Sequence, residues 1–237
     1  MNDQNFPVTL MNPGLVGFEN QFFVLNPSQN NDVNLRSNLE WDREVESELI
    51  ENNQATIIID SPFVLVPETM YVPGMDPLLL QDKYPYLSLS ATRYQADTWT
   101  NFYTKCVFYI PDKYYRLKGK QYHHWLTSLA VYNQKFFDAH DTGIWAFRLK
   151  DKLYVFVKVN RVLQQVKILN CPSPDDSTYH LLKIVETIKE YQSILTIWTN
   201  EYNNFHLSIL NQYIPNVIVN DIELPKLLIE IISPLCG

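Results

Sequence analysis

The sequence predicts an α/β protein whose mixed β-sheets carry helices on both faces. Short apolar runs rich in β-branched and aromatic side chains alternate with amphipathic helical stretches. In the second half the alternation follows a single order: three strands, helix, strand, helix, strand. Crossovers from strand to strand through a helix require a parallel portion of sheet that is covered on both sides.

The 237 residues, 46% of them hydrophobic, are enough to fill the cores of two lobes. Cys106, Cys171 and Cys236 are scattered and share no metal-ligand spacing, which excludes a disulfide framework and points to reduced thiols. The stretch MNDQNFPVTLMN has no basic residue and no apolar segment of signal-peptide length. No later run approaches the roughly 20 apolar residues of a membrane span, so a cytoplasmic protein without a membrane span is expected. The net charge of -7 is concentrated in residues 1–60, where ten acids face only Arg36 and Arg43. No overall basic field invites nucleic acid.

In the first half, FPVTLMN, LVGFEN and QFFVLN read as a meander of short strands, with turn chemistry at Asn12-Pro13-Gly14. Ser37 with Glu40 three residues on resembles a capping box, and Leu39, Trp41, Val45 and Leu49 share a helical side, so an acidic helix is expected from there. QATIIID reads as a buried strand ending at Asp60-Ser61-Pro62. Beyond it FVLVPETMY, SLSATRYQ and FYTKCVFYI read as strands, with a short helix near DKYYRLK. TSLAVYNQKFF reads as a helix capped by Thr127.

In the second half, IWAFRLK, LYVFVKV and VLQQVKILN are joined by tight turns at Lys150-Asp151-Lys152 and Asn160-Arg161. Ser173, then proline at the first helical position and an acid at the third, begin a helix with the apolar stripe Leu181, Ile184, Val185, Ile188 and Tyr191. SILTIWT returns as a strand, FHLSILNQYI as a helix and NVIVND as a last strand. In the tail LPKLLIEIISPLCG, Leu224, Leu227, Leu228, Ile231, Ile232 and Leu235 have helical spacing, and only Lys226 and Glu230 relieve its apolarity, so that helix must be buried.

Three strands, helix, strand, helix, strand is the order of the ribonuclease H-like unit, and the first half opens the same way. Two such units in tandem, over residues 1–140 and 141–237, are the plan of the actin-like ATPases. With TIIIDSPFVLVPETMY, CVFYIPDKYY and the hairpin region followed by SPDDSTYHLLKIVETIKEY, the chain resembles a family of uncharacterised bacterial proteins, a domain of unknown function with an actin-like ATPase fold. The resemblance implies that fold and kinship with actin-like proteins that assemble secretion or pilus machinery. It implies no function and no catalytic residue.

An ATPase of this plan needs backbone amides at the first hairpin turn of each lobe to hold phosphates, and carboxylates to hold hydrated magnesium. The second-lobe turn, Lys150-Asp151-Lys152, has no glycine, and Asp141-Thr142-Gly143 stands in front of its strand, displaced by roughly 20 Å. The first-lobe turn, Asn12-Pro13-Gly14, has a glycine but neither acid nor hydroxyl, and no glycine follows Gly143 until Gly237. The motif is therefore read as an inter-lobe turn, a pseudo-ATPase is expected, and neither catalytic residue, metal ligand nor cofactor is assigned. Asp60, at the end of a fourth strand, is the one carboxylate in a chemically useful place, and it supports the alternative of a divergent ATPase or phosphotransferase working in an inter-lobe cleft.

Neither a nucleophile elbow nor a cysteine-protease pattern occurs. His123-His124 are adjacent and point apart, which disfavours a shared metal, and His140, His180 and His206 have no recognisable partner pattern. The segment 105–124 places Lys105, Lys113, Arg116, Lys118 and Lys120 among five aromatics. That pattern suits single-stranded nucleic acid as a second alternative, or a basic surface for an acidic protein partner. Fifteen tyrosines, crowded in the middle third, suit an interface. The expected partner is a protein.

Overall fold

The computed structural model describes residues 14–18, 21–27, 33–39, 56–87, 93–115, 120–137, 140–188, 194–199, 202–223, 230–231 and 235. The chain divides into two units, Met1–Tyr132 with Ile229–Gly237, and Asn133–Leu228.

The first unit is built on a five-stranded sheet of order β3-β2-β1-β4-β8. β1 (Gly14–Phe18), β2 (Gln21–Pro27) and β3 (Val33–Leu39) form an antiparallel meander. β4 (Thr56–Ile59) runs parallel to β1, and β8 (Gln121–His124) runs parallel to β4. β4 is buried at all four positions, as its β-branched run TIII dictates.

Between β4 and β8 the chain departs into a second, antiparallel sheet of order β5-β7-β6. Its strands are β5 (Phe63–Pro67), β6 (Tyr94–Trp99) and β7 (Thr104–Tyr109). Helix α1 (Asp76–Lys83) closes it over Val66, Leu80, Leu87, Tyr94 and Val107. A short helix α2 (Asp112–Tyr115) precedes β8, and α3 (Trp125–Phe137) follows it.

The second unit repeats the strand order, β11-β10-β9-β12-β13. β9 (Gly143–Leu149), β10 (Lys152–Val159) and β11 (Val162–Asn170) form the antiparallel meander. β12 (Ile194–Thr199) and β13 (Asn216–Asp221) add parallel strands through α4 (Pro174–Ile188) and α5 (Leu207–Tyr213). Ile144, Ala146, Val155 and Ile197 pack with Leu181, Ile184 and Leu210 of the helices. Trp145, Phe147 and Trp198 fill the opposite face, Phe147 and Trp198 stacked 4.6 Å apart. Burial on both faces is why β9 reads as a continuous apolar run rather than an alternating one.

From β9 to β13 the second half follows the sequence reading element by element, with Tyr191 of the expected α4 stripe outside the described residues, and the first half departs from it. VNLRSNL, expected to lead into a helix, is strand β3, so Ser37 lies in a strand and is not an N-cap. Its Val33, Leu35 and Leu39 alternate with Asn34, Arg36 and Asn38, a period of two that the helical spacing of the following residues obscures. Residues 40–55 and FPVTLMN lie outside the described residues. Gly14 opens β1, and the β1–β2 connection falls at residues 19–20, so Asn12-Pro13-Gly14 is not that turn. Of SLSATRYQ, Tyr94 and Gln95 open β6 and Arg93 precedes it, and its first five residues lie outside the described residues. In the tail Glu230, Ile231 and Leu235 are helical and Ile231 is buried; the rest of that stretch lies outside the described residues.

Candidate functional site

Two places in the fold could carry phosphate or acid–base chemistry: the Asp141-Thr142-Gly143 motif with its hairpins, and the carboxyl ends of β4 and β8. In the first, Asp141 Oδ1 accepts from Arg161 Nε at 2.7 Å and Asp141 C=O accepts from Arg161 N–H at 2.8 Å. The hydrogen bond from the Arg161 side chain holds the Asp141 carboxyl below its usual range. Asn160 N–H donates to Thr142 Oγ1 at 3.1 Å. Asn160 and Arg161 have φ of 50° and 68°, the left-handed pair of a two-residue hairpin turn, and both are tied to the residues in front of β9.

Gly143 has a packing role. A Cβ built there would stand 2.5 Å from Cη2 of Trp145, whose indole lies across it. Lys158 Nζ lies 5.7 Å from the centre of the same ring. The rest of β9, from Ile144 to Leu149, separates this motif from the β9–β10 turn. In that turn Lys150 is left-handed, with φ 50°, and Asp151 C=O accepts from Cys171 N–H at 2.6 Å.

At the second place β4 ends at Ile59, which leaves Asp60 and Ser61 at its carboxyl end, and β8 ends at His124. Burial and the charge of Asp60 both push the Tyr114 hydroxyl above its usual pKa. Asp97 of β6 is buried, and its carboxylate gathers three donors. Oδ1 accepts from His123 Nδ1 at 2.9 Å; Oδ2 accepts from His124 N–H at 2.8 Å and from Thr127 Oγ1 at 2.7 Å. Trp99 Nε1 donates in turn to Thr127 Oγ1 at 2.9 Å.

His124 is buried, with the rings of Phe63 and Phe108 at 4.8 and 5.6 Å. Leu126 N–H donates to His124 Nδ1 at 3.1 Å, so the proton of the neutral ring sits on Nε2, which donates to Ser61 C=O at 3.0 Å. Burial holds its pKa below the usual histidine value, against the opposing pull of the Ser61 carbonyl and of the Asp60 and Asp97 charges.

His124 is therefore the N-cap of α3, the role expected of Thr127, which lies inside the helix and donates to Asp97. Asp97 holds an anionic group against the first turn of α3, where an open α/β sheet commonly receives a ligand's negative charge. No short motif announces this cluster. Its members come from β6, β8 and α3, and only the polar residues Asp97, His124 and Thr127 inside apolar stretches hint at it.

In the segment 105–124, Phe108, Tyr114 and Tyr122 are buried, and Tyr122 OH donates to Tyr114 C=O at 2.7 Å. Lys105 Nζ donates to Thr98 Oγ1 at 2.7 Å and lies 3.8 Å from Glu68 Oε1. Arg116 and Lys118 lie outside the described residues. Among the described residues no group of three or more His, Cys, Asp or Glu could hold a metal ion, and no helix is long and apolar enough to cross a membrane. His206 Nε2 pairs with Asp175 Oδ1 at 2.7 Å on the exposed face of the second unit.

Two sheets of one strand order, each with its meander and two parallel strands, belong to the actin-like ATPase fold, and the chain has that fold. It is similar over 100% of its length to 98% of a Bacteroides thetaiotaomicron protein with an actin-like ATPase fold and unknown function, with a TM-score of 0.69 and 14% identity. Over 95% of each chain it is also similar to a structure of the PilM-PilN type IV pilus biogenesis complex, with a TM-score of 0.52 and 10% identity. At these identities the likeness establishes the fold alone. No family model and no curated protein matches the sequence.

Proposed function

We propose that the chain is a non-catalytic scaffold or protein-interaction module of the actin-like fold, a pseudo-ATPase built as two tandem ribonuclease H-like lobes, with Ile229–Gly237 counted with the first lobe instead of the second. The observation that carries this reading is the employment of Asp141, Thr142 and Gly143, each engaged within its own unit by Arg161, Asn160 and Trp145. A turn that grips phosphate needs backbone amides open to the ligand, and glycine lets the backbone approach. The β9–β10 turn, Lys150-Asp151, contains none.

A protein partner is supported by the inserted sheet. Met70, Val72, Met75 and Leu78 are exposed there at 71, 53, 39 and 59%, with Tyr103 at 74%. Methionine is adaptable and tyrosine tolerates water, both suited to an interface. The neighbour solved as a PilM-PilN complex adds that a protein of this fold can assemble with another protein. Burial of Phe108, Tyr114 and Tyr122 argues against a stacking platform for nucleic acid. The buried thiols Cys106 and Cys171 suit a reducing cytoplasm.

Affinity purification from the native cell, with wild type beside a Met70→Asp/Leu78→Asp variant, tests the docking surface. A partner identified with the wild type and lost with the variant supports it; a partner retained undiminished by the variant removes this surface from the account. The second reading, a divergent ATPase using Asp60, is favoured by the position of that carboxylate at the end of β4. Magnesium-dependent phosphate release by the wild type, abolished in Asp60→Asn, would establish it.

A further inference from the structure

The inserted sheet leaves the core sheet after β4 and is fastened back at β8 through side chains. Gln95 Nε2 donates to Tyr122 C=O at 2.8 Å and Asp97 Oδ2 accepts from His124 N–H at 2.8 Å, so two side chains of β6 satisfy backbone groups of the edge strand β8. His124 completes the fastening by bonding Ser61 C=O, where the chain departs, and Leu126 N–H, where α3 begins.

We propose that His124 is a pH-sensitive fastening, which as a neutral imidazole joins the inserted sheet and the first turn of α3 to β8, and loosens both when it takes a proton.

Donors and acceptors set the ring's two states apart. A neutral ring offers one of each, and here Nδ1 accepts while Nε2 donates. An imidazolium has two donors and no acceptor, so its Nδ1–H would confront Leu126 N–H at the positive end of a 13-residue helix. The ring is fully buried beside Phe63 and Phe108, which adds a desolvation cost to the charged form.

Charged and titratable groups reach the site from each surrounding element. Asp60 follows β4, Asp97 lies on β6, Cys106 on β7, and His123 precedes on β8 with its Nδ1 on Asp97. The two carboxylates favour the proton, and burial outweighs them. The fastened state thus stays neutral where an opened one charges. Its stabilisation is complete above the ordinary histidine pKa of about 6.5 and is lost as the pH falls below it, by up to about tenfold in the opening equilibrium at pH 5.5. This inference does not depend on the docking reading; where both hold, acid loosens the mount that carries Met70 and Leu78.

Native-state hydrogen exchange on the full chain at pH 7.5 and 5.5, corrected for intrinsic exchange, tests it. The wild type should lose protection, by up to about tenfold, at Leu126, Thr127 and the Asp97–Trp99 amides. His124→Asn, whose carboxamide oxygen can accept from Leu126 N–H without titrating, should show no such loss. Equal protection of the wild type at both pH values, or the same loss in His124→Asn, would overturn the proposal. If the variant does not fold, nitrogen NMR of the wild-type ring decides: protonation in step with Leu126 exchange supports the fastening, and protonation that leaves Leu126 protected contradicts it.

Discussion

The indole of Trp145 lies across Gly143, leaving 2.5 Å between its Cη2 and the place a Cβ would take. Replacing Gly143 with Ala should therefore destabilise the second unit by about 1–3 kcal/mol, the usual cost of overpacking a filled core. Urea denaturation of Gly143→Ala and of Gly143→Ala/Trp145→Phe checks this, since the smaller ring should recover part of the loss. An unchanged midpoint for the single variant would mean that the glycine is not there for the indole.

Asp97 serves three donors from a buried position. Truncation to Ala leaves them unpaired and should cost roughly 3 kcal/mol, because each orphaned buried group loses about 1–3 kcal/mol and part of this is recovered by local relaxation. Chemical denaturation measures it. A loss below about 0.5 kcal/mol, the usual span of surface substitutions, would show that the cluster does not hold the fold.

Ser173 and Asp176 form a reciprocal cap on α4: Asp176 N–H donates to Ser173 Oγ at 3.2 Å, and Asp176 Oδ2 accepts from Ser173 N–H at 3.1 Å. Ser173→Ala should cost about 1 kcal/mol. The hydrogen bond from the Ser173 hydroxyl leads the groups that hold the Asp176 carboxyl below its usual value. Its contribution is present above the unfolded carboxylate pKa and disappears as the pH falls through the lowered folded value. The stability gap between Ser173→Ala and wild type, followed by denaturation from pH 7 to pH 2, should narrow at the acid end.

Burial pushes the Cys106 thiol well up, with the Asp97 charge adding to it, and burial also raises Cys171. Both should resist iodoacetamide at pH 8 in the native protein and react once it is unfolded, as peptide mass spectrometry would show. Rapid native labelling of Cys106 would place it at an open surface, contrary to the packing of β7.

The second unit was legible because its strands and helices differ in period and its turns carry their own chemistry. Ser173, the Asn160-Arg161 turn and the LYVFVKV run each state their element locally. The first unit was less so. β3 is marked only by alternation in VNLRSNL, and β8 is four residues long, QYHH, too short to show a period and running straight into the helix after it. The Asp97 cluster joins positions 26 to 30 residues apart, and spacing rules for single elements do not reach that far. Asp141-Thr142-Gly143 was visible as a motif, and the sequence placed it correctly in front of its strand. What could not be read was that Arg161, Asn160 and Trp145 would claim its three residues, since that depends on how β9, β10 and β11 pair.

Calorimetric titration of the full chain with ATP and ADP, with and without magnesium, bears most directly on the central claim that this is an actin-like fold without its phosphate chemistry. The account predicts no magnesium-dependent heat of binding in the micromolar range. Micromolar, magnesium-dependent binding of either nucleotide would contradict it.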